Sequence, residues 1–130
     1  MNPIFLTVAD VLDLHDLSLQ RYGGSAGVRD RGLLESAVGQ PQASFGGEFL
    51  HEDLAAMASA YLVSIVKNHP FVDGNKRAGL AAALTFLDVN GFAIDRSTPL
   101  LYDATMAVAE GRLDKGDLAD LLRRLAEGSG

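Results

Sequence analysis

The apolar residues of this chain follow a predominantly helical spacing. In six segments they recur every three or four residues, which places them on one face of an α-helix. The predicted helices run from Thr7 to Tyr22, from Arg31 to Val38, from Glu52 to Asn68 and from Asn75 to Asn90, and two more begin at Thr98 and Asp114. Only segment 44–50, where two glycines separate aromatic residues, is typical of a turn or small hairpin. The sequence therefore predicts an all-α fold with a short β-hairpin-like flap.

The fourth predicted helix is the most apolar one. Between Ala78 and Leu87 every residue except Gly79 and Thr85 is apolar, so no side of this stretch is polar. A helix of this composition is stable only when other elements pack on several of its sides. We therefore expect it to be the buried central helix, with the others arranged around it.

Two of the predicted helices begin with recognisable signals. Thr7 is followed three residues later by Asp10, which is the pattern of a capping box. Thr98-Pro99 is expected to place a proline at the first position of the fifth helix, where a missing N–H group does no harm.

Three other polar features have ordinary structural interpretations. His15 falls on the apolar face of the first helix, and a partly buried structural histidine is expected there. His51 follows the predicted hairpin and is expected at the surface. The charged run 29–31 fits a local ion pair or a helix start.

Composition and charge exclude or disfavour several classes of protein. The 130 residues, 48% of them hydrophobic and 22% charged, fit one globular domain over 1–130 with a disordered tail at 127–130. The absence of cysteine excludes a disulfide scaffold, a thiolate metal site and a cysteine nucleophile. A net charge of −6 disfavours nucleic acid as a direct partner. The N-terminus has no basic region and the longest apolar run is about half a membrane span, so we expect a cytoplasmic protein without membrane contact.

The segment His69-Pro-Phe-Val-Asp-Gly-Asn-Lys-Arg77 concentrates the chemistry. It joins two predicted helices and leads into a helix N-terminus, where backbone N–H groups and the helix dipole favour an anion. Gly74 allows the close backbone approach that such a site needs. Lys76 and Arg77 oppose the dipole at a cost of a few tenths to about 1 kcal/mol, which makes sense if an anion binds between them.

Two further side chains suggest that a reaction takes place at this anion site. Asp73 would repel a phosphate unless a divalent cation such as Mg²⁺ bridged the two. His69 is of the residue type that exchanges protons near neutral pH, which suits a general base. Each feature alone is usually an ordinary loop or surface residue, but all of them fall within nine residues here. Together they suggest transfer of a phosphoryl or nucleotidyl group to a hydroxyl.

The same segment resembles the signature of the Fic/Doc family, whose Fic form reads H-P-F-x-(D/E)-G-N-G-R. Seven of the eight specified positions match. The exception is Lys76, because Fic adenylyltransferases have glycine there and the Doc (death-on-curing) toxins have lysine. Segments 22–25, 29–37 and 41–42 are also similar to the Doc branch, so the resemblance covers about residues 5–125.

The resemblance implies a Fic/Doc fold and a Doc-like toxin of a toxin–antitoxin system. Such a toxin transfers the γ-phosphate of ATP to a Ser/Thr hydroxyl of a protein, by resemblance the translation factor EF-Tu, and so inhibits translation. His69 would be the general base, Asp73 would hold Mg²⁺ through the nucleotide, and Phe71 would anchor the loop. ATP phosphates would be bound by Gly74, Asn75, Lys76 and Arg77. The flap that aligns the target by strand pairing would comprise Phe45, Gly46, Gly47, Glu48, Phe49 and Leu50.

Three alternatives remain. A Fic-type adenylyltransferase would transfer AMP with the same residues, but Lys76 fills space that glycine leaves for the phosphates. A non-catalytic binding module with the same fold is disfavoured because His69, Asp73, Asn75 and Arg77 are all present. A DNA-binding helix–turn–helix regulator is disfavoured by the charge and by the apolar helix after the loop, since a recognition helix must be exposed.

Inhibition is expected to come from a second chain. Many Fic proteins carry an inhibitory helix with the pattern (S/T)-x-x-x-E-(G/N). Glu110 and Glu127 are each followed by glycine, but Met106 and Arg123, four residues earlier, are neither Ser nor Thr. The Doc resemblance implies a small antitoxin whose disordered C-terminal tail folds into a groove, near the first helix and the flap.

Overall fold

The computed structural model describes residues 2–126, and the predicted all-α fold is confirmed for them. The helices are α1 (Val8–Tyr22), α2 (Arg31–Gly39), α3 (Leu54–Asn68), α4 (Asn75–Val89), α5 (Leu100–Ala109) and α6 (Lys115–Arg124). A 3₁₀-helix (Gln40–Gln42) precedes an antiparallel hairpin of β1 (Ser44–Phe45) and β2 (Glu48–Phe49). The tail 127–130, predicted to be disordered, lies outside the described residues.

The helix starts follow the sequence signals closely. The capping box of α1 is present, since Asp10 N donates to Thr7 Oγ1 at 3.1 Å and Thr7 N donates to Asp10 Oδ2 at 2.8 Å. The proline signal is displaced by one residue, because Pro99 is the cap and Leu100 is the first helical residue of α5. Thr98 Oγ1 accepts a hydrogen bond from Leu100 N at 3.2 Å, which extends the turn before the helix.

The central helix is α3 rather than α4, so this part of the prediction is wrong. α3 packs against α2, α4, α5 and α6, whereas α4 packs against α1, α3 and α5 and leaves Leu80 and Leu84 half-buried. Polar residues in α3 obscured its position in the sequence. Ser59 is fully buried there, and the cost of burying its hydroxyl is offset because the hydroxyl donates to the carbonyl oxygen of Lys115 at 2.6 Å. α4 still contributes a large part of the core, including the fully buried Phe86.

Two parts of the fold, α1 and the segment that follows it, lie beside the connection between α3 and α4. α1 packs along α4, and segment 23–30, which links α1 to α2, lies beside the connection. Val28 pairs with Phe71 in an antiparallel bridge, and Val72 N donates to the carbonyl oxygen of Gly27 at 3.0 Å. In the described part of the chain no helix combines the length and apolar character needed to cross a membrane.

Candidate active site

His69 terminates α3 in an unusual backbone conformation. Its φ of 52° and ψ of 53° are left-handed, and it is the one non-glycine residue with positive φ among those described. Pro70 disfavours the right-handed helical conformation for the residue before it, which explains why α3 ends here. Arg29 holds this turn, because its Nε donates to the carbonyl oxygen of His69 at 2.6 Å and its Nη2 to that of Asn68 at 2.9 Å. The backbone of His69 is therefore fixed on both sides.

The imidazole of His69 is exposed and makes no hydrogen bond to another described residue. It faces an open pocket of about 670 Å³, within the size range of small-molecule sites. The pocket is lined by Val66, Lys67, His69, Val72, Asp73, Gly74, Asn75, Lys76, Arg77, Tyr102 and Ala109. The structure thus brings His69, Asp73 and residues 74–77 to one cavity, as the sequence predicted.

The body of the loop is held from inside the core. Phe71 is fully buried, which confirms its predicted anchoring role, and its ring stacks on His15 at 3.8 Å between centroids with an interplanar angle of 6°. Asn75 is also buried, and its side chain accepts from Phe71 N at 2.9 Å and donates to Phe71 O at 3.0 Å. Both ends of the Asn75 amide are therefore engaged by the loop. The side chain acts in positioning, which the sequence did not indicate.

Asp73 presents an ionised carboxylate at the edge of the pocket. Its Oδ2 accepts from Ser25 N at 3.1 Å and its Oδ1 from Gly74 N at 2.8 Å. These two hydrogen bonds, helped by the charge of Arg77, lower the pKa of Asp73 below its usual value. Among residues 2–126 no cluster of three or more His, Asp or Glu residues could hold a metal ion. A cation at Asp73 would therefore need further ligands from a bound nucleotide.

The N-terminus of α4 opens into the same pocket. Gly74 is its cap, with φ 77° and ψ 21°, and no side chain between residues 2 and 126 caps the helix. The first N–H groups of a helix have no intrahelical acceptor, so residues 75–77 offer donors to an anion. The side chain of Lys76 is exposed and makes no hydrogen bond to another described residue. This arrangement matches the predicted anion site in its backbone and charge.

Arg77 is held in place by the C-terminal part of α1. Its Nε donates to Ser18 Oγ at 3.1 Å and its Nη2 to the carbonyl oxygen of Gly23 at 3.0 Å. Its guanidinium lies 5.3 Å from the ring centroid of Tyr22, close enough for a cation–π contact. Arg77 therefore enters the pocket from a fixed direction, unlike Lys76.

Comparison with known proteins agrees with this geometry. The model of the Fic/DOC family matches residues 5–87. The chain belongs to the Fic/DOC family. It is similar to "Protein kinase doc" of Escherichia phage P1, with 40% identity over 116 residues covering 89% of this chain and 90% of that protein. It is also similar to "Toxin Doc" of Mycolicibacterium smegmatis, with 42% identity over 105 residues covering 76% of this chain and 78% of that protein.

In this Fic/DOC protein the predicted flap does not reach the pocket. The hairpin 44–49 precedes the N-terminus of α3, whereas His69 follows its C-terminus, and a helix of this length spans about 21 Å. Phe49 contacts Phe5 at 5.5 Å between ring centroids, and Phe5 stacks on Phe86 in the last part of α4, also far from Asn75. None of Phe45, Gly46, Gly47, Glu48, Phe49 and Leu50 lines the pocket. Their predicted role beside His69 is not supported, because the position of the hairpin depends on tertiary packing.

The segment beside the Fic/DOC loop is instead 23–30, between α1 and α2. Arg29 N and Asp30 N both donate to the carbonyl oxygen of Pro70, at 2.7 Å and 3.1 Å. The expectation for the run 29–31 is met in part, since Asp30 caps α2 and Arg31 pairs with Glu35 at 3.2 Å. The role of Arg29 in holding the loop was missed, because its acceptors lie about 40 residues away in sequence.

The two remaining histidines of the described chain are both buried. His15 donates from Nε2 to the carbonyl oxygen of Asp73 at 2.8 Å, so the expected structural role is confirmed and extends to the active-site loop. The prediction that His51 lies at the surface is wrong, because the start of α6 packs over it and Lys115 Nζ donates to its Nε2 at 3.0 Å. Burial, and then the charge of Lys115, lowers the pKa of His51.

Gly24 offers a test of the geometry around Asp73. Its φ is 116°, and a Cβ atom there would lie 2.8 Å from Asp73 Oδ2 and 3.3 Å from Arg77 Nη2. Gly24→Ala is expected to displace both groups and to lower the transferase kcat/KM about 10- to 100-fold, since small displacements of reacting groups have effects of this size.

The matched control is Gly91→Ala. Gly91 has a positive φ of 76°, a Cβ atom there meets no described atom within 4 Å, and the residue lies after the C-terminal end of α4, away from the pocket. It should share the loss of stability seen in urea unfolding and keep most of the activity. Equal losses of activity in both variants would show that the close approach of residue 24 to Asp73 and Arg77 does not cause the effect.

Proposed function

We propose that this protein is a Doc-like toxin that transfers the γ-phosphate of ATP to a Ser/Thr hydroxyl of a protein. By resemblance the target is the translation factor EF-Tu, and the effect is inhibition of translation in the cytoplasm. The observation that carries the proposal is one pocket that joins three groups: the imidazole of His69, which no other described residue engages, the carboxylate of Asp73, and the N-terminus of α4, which no described side chain caps. Phosphoryl transfer needs a general base, a metal ligand and hydrogen-bond donors that hold the phosphate oxygens.

His69 has the freedom and the position of a general base in this proposal. No other residue of the described chain engages its ring, so the ring is free to accept the hydroxyl proton of the target. As that proton leaves, the hydroxyl oxygen forms a bond to the γ-phosphorus of ATP. The bond from the γ-phosphorus to the bridging oxygen breaks, and ADP leaves with its electron pair. The clamp from Arg29 on the His69 backbone keeps the base oriented during this step.

The charges of the pocket suit a triphosphate. Lys67, Lys76 and Arg77 contribute three positive charges to the lining and Asp73 contributes one negative charge, in a chain of net charge −6. Backbone N–H groups at the start of α4 add donors for phosphate oxygens. Mg²⁺ bound with the nucleotide would neutralise phosphate charge at Asp73, whose carboxylate hydrogen bonds keep it ionised.

Lys76 is the residue that favours transfer of the γ-phosphate of ATP over transfer of AMP. Its side chain lines the pocket at the second residue of α4, where the Fic signature has glycine. A long cationic side chain there restricts the orientation in which a triphosphate fits. This supports transfer of the γ-phosphate over transfer of AMP.

Segment 23–30 is the best-placed docking edge for the target. Gly27 and Arg29 direct their backbone groups to the loop, so the N–H and carbonyl groups of Val28 between them point the other way. Val28 is 39% exposed, and its backbone groups form no hydrogen bond within the described chain. A target strand pairing at Val28 would pass close to the loop that carries His69. We assign target docking to this segment in place of the hairpin.

An antitoxin is the partner that this function requires. We expect a small protein whose disordered C-terminal tail folds into a groove of this chain. α1 is a suitable place for it, since the exposed Leu17 lies on the helix that holds Arg77.

Expression in bacterial cells tests the toxin proposal. The parent chain should arrest growth, and His69→Ala at the same protein level should not. Co-expression of the small gene product encoded just upstream should relieve the arrest. Equal arrest by the parent and by His69→Ala would contradict a toxicity that depends on this active site.

A further inference from the structure

Tyr102 is the one tyrosine of the described chain without a partner. Tyr61 is fully buried, with its hydroxyl oxygen accepting from Leu6 N at 2.9 Å, and Tyr22 lies over the guanidinium of Arg77. Tyr102 projects from α5, is 64% exposed, and forms neither a hydrogen bond nor a ring contact with another described residue. It nevertheless lines the same pocket as His69. Its ring therefore leaves a largely exposed aromatic face available to a ligand in this pocket.

The lining of the pocket divides into a charged part and a weakly polar part. The N–H groups of α4 and the charged side chains of Lys67, Asp73, Lys76 and Arg77 form the charged part. Tyr102 and Ala109 form a wall from α5, since residues seven apart lie on one side of a helix and about 10 Å apart along its axis. A nucleoside triphosphate has the same division, with charge at one end and a flat base at the other.

We propose that Tyr102 is the stacking platform for the base of the nucleotide. This inference rests on the proposed function and deepens it, because it names the residue that holds the part of ATP remote from the reaction. Stacking of a base on an aromatic side chain is worth enough to change affinity by about 5- to 150-fold when the ring is removed. Every base has a flat face, so stacking alone discriminates weakly between ATP and GTP.

A single tryptophan makes the stacking visible. The chain contains no Trp, so Tyr102→Trp creates a unique fluorophore on the pocket wall. With Mg²⁺ present, ATP and GTP should both quench its fluorescence to saturation. Tripolyphosphate, which has the charges and no base, should bind without this quenching. Equal quenching by tripolyphosphate would overturn the proposal, as would ATP binding, detected by calorimetry, without any quenching.

Two substitutions check the same role in the parent reaction. Tyr102→Ala should raise the KM for ATP about 5- to 150-fold and leave kcat within about threefold, because the ring acts on binding and not on the reacting atoms. Tyr102→Phe should keep the parental KM, since stacking needs the ring and not the hydroxyl. A rise in the KM for the protein target at unchanged KM for ATP would show that Tyr102 contacts the target, and would overturn the proposal.

The outcome is separable from that of the proposed function. If ATP binds and quenches the Tyr102→Trp fluorescence but no phosphate reaches a protein, the base site stands and the kinase proposal fails. If phosphate is transferred and Tyr102→Ala has the parental KM for ATP, the kinase proposal stands and the base site fails. A chain that does not bind ATP at all contradicts both.

Discussion

His69→Ala is expected to lower the rate of phosphate transfer about 10²–10⁴-fold and to leave ATP binding nearly unchanged. The expected loss is that of a general base, because the imidazole is exposed, lines the pocket and is not engaged by the rest of the described chain. The fold should lose only the stability that alanine costs in the left-handed conformation, since the neighbouring contacts involve the backbone of His69 and not its ring. Single-turnover transfer rates and calorimetric titration with ATP separate the two quantities.

His69→Asn is the control for backbone strain at this position. Asparagine tolerates the left-handed conformation that His69 adopts better than most residues do, and it lacks a basic nitrogen. A loss of rate in both variants, with a parental unfolding curve for His69→Asn, would assign the effect to the missing base. A parental rate in purified His69→Ala would show that His69 is not the base.

Asp73→Asn is expected to abolish the dependence of ATP binding on Mg²⁺. Asparagine has nearly the same shape and keeps one oxygen that accepts a hydrogen bond from Ser25 N or Gly74 N, so the loop should persist. It removes the negative charge that would hold the cation, and a single carboxylate is the only protein ligand assigned to it. Titration with ATP in the presence of Mg²⁺ or of a chelator measures the effect.

The ionisation of Asp73 sets the pH range of this effect. Hydrogen bonds from Ser25 and Gly74 lower the pKa of the folded-state carboxyl, so the charged form is favoured down to pH values below the ordinary pKa of about 3.9. Loss of Asp73 charge therefore does not limit Mg²⁺-dependent binding at neutral or mildly acidic pH. Tight binding of Mg²⁺ to the protein without nucleotide would contradict the assignment, because it would require protein ligands beyond Asp73.

The sequence predicted the structure correctly where the residues that determine it are neighbours in the chain. The capping box at Thr7 and Asp10 and the helix end before Pro70 follow from contacts within a few residues. The nine-residue loop also brought the base, the carboxylate and the cations together, because they share one connection between two helices. The composition of that loop was therefore sufficient to locate the pocket.

The features that the sequence did not reveal depend on contacts between distant segments. Asn75 has the composition of a phosphate ligand, but its amide is engaged by Phe71. Arg29 and Ser18 hold the site from segments that sequence patterns describe only as a charged run and a helix face. The spacing of His15, Ser18 and Tyr22 was a usable signal, since it places three polar or aromatic residues on one side of α1, two of them buried.

The sequence predicted the hairpin itself but not its position relative to His69. Its strands and its two-glycine turn, with φ of 61° and 83° at Gly46 and Gly47, are those that the sequence predicts. Its distance from His69 follows from the direction in which α3 runs, which no local pattern encodes. We therefore propose target docking at segment 23–30 rather than at the hairpin.

Transfer from ATP labelled separately at the α- and γ-phosphates tests the central proposal most directly. The purified protein is incubated with Mg²⁺, bacterial EF-Tu and either labelled nucleotide, with His69→Ala as the parallel control. We expect the γ-label to become bound to the protein target and the α-label to remain in the nucleotide, with neither transferred by His69→Ala. Stable α-label on the target of the parent protein would contradict the kinase assignment and identify an adenylyltransferase.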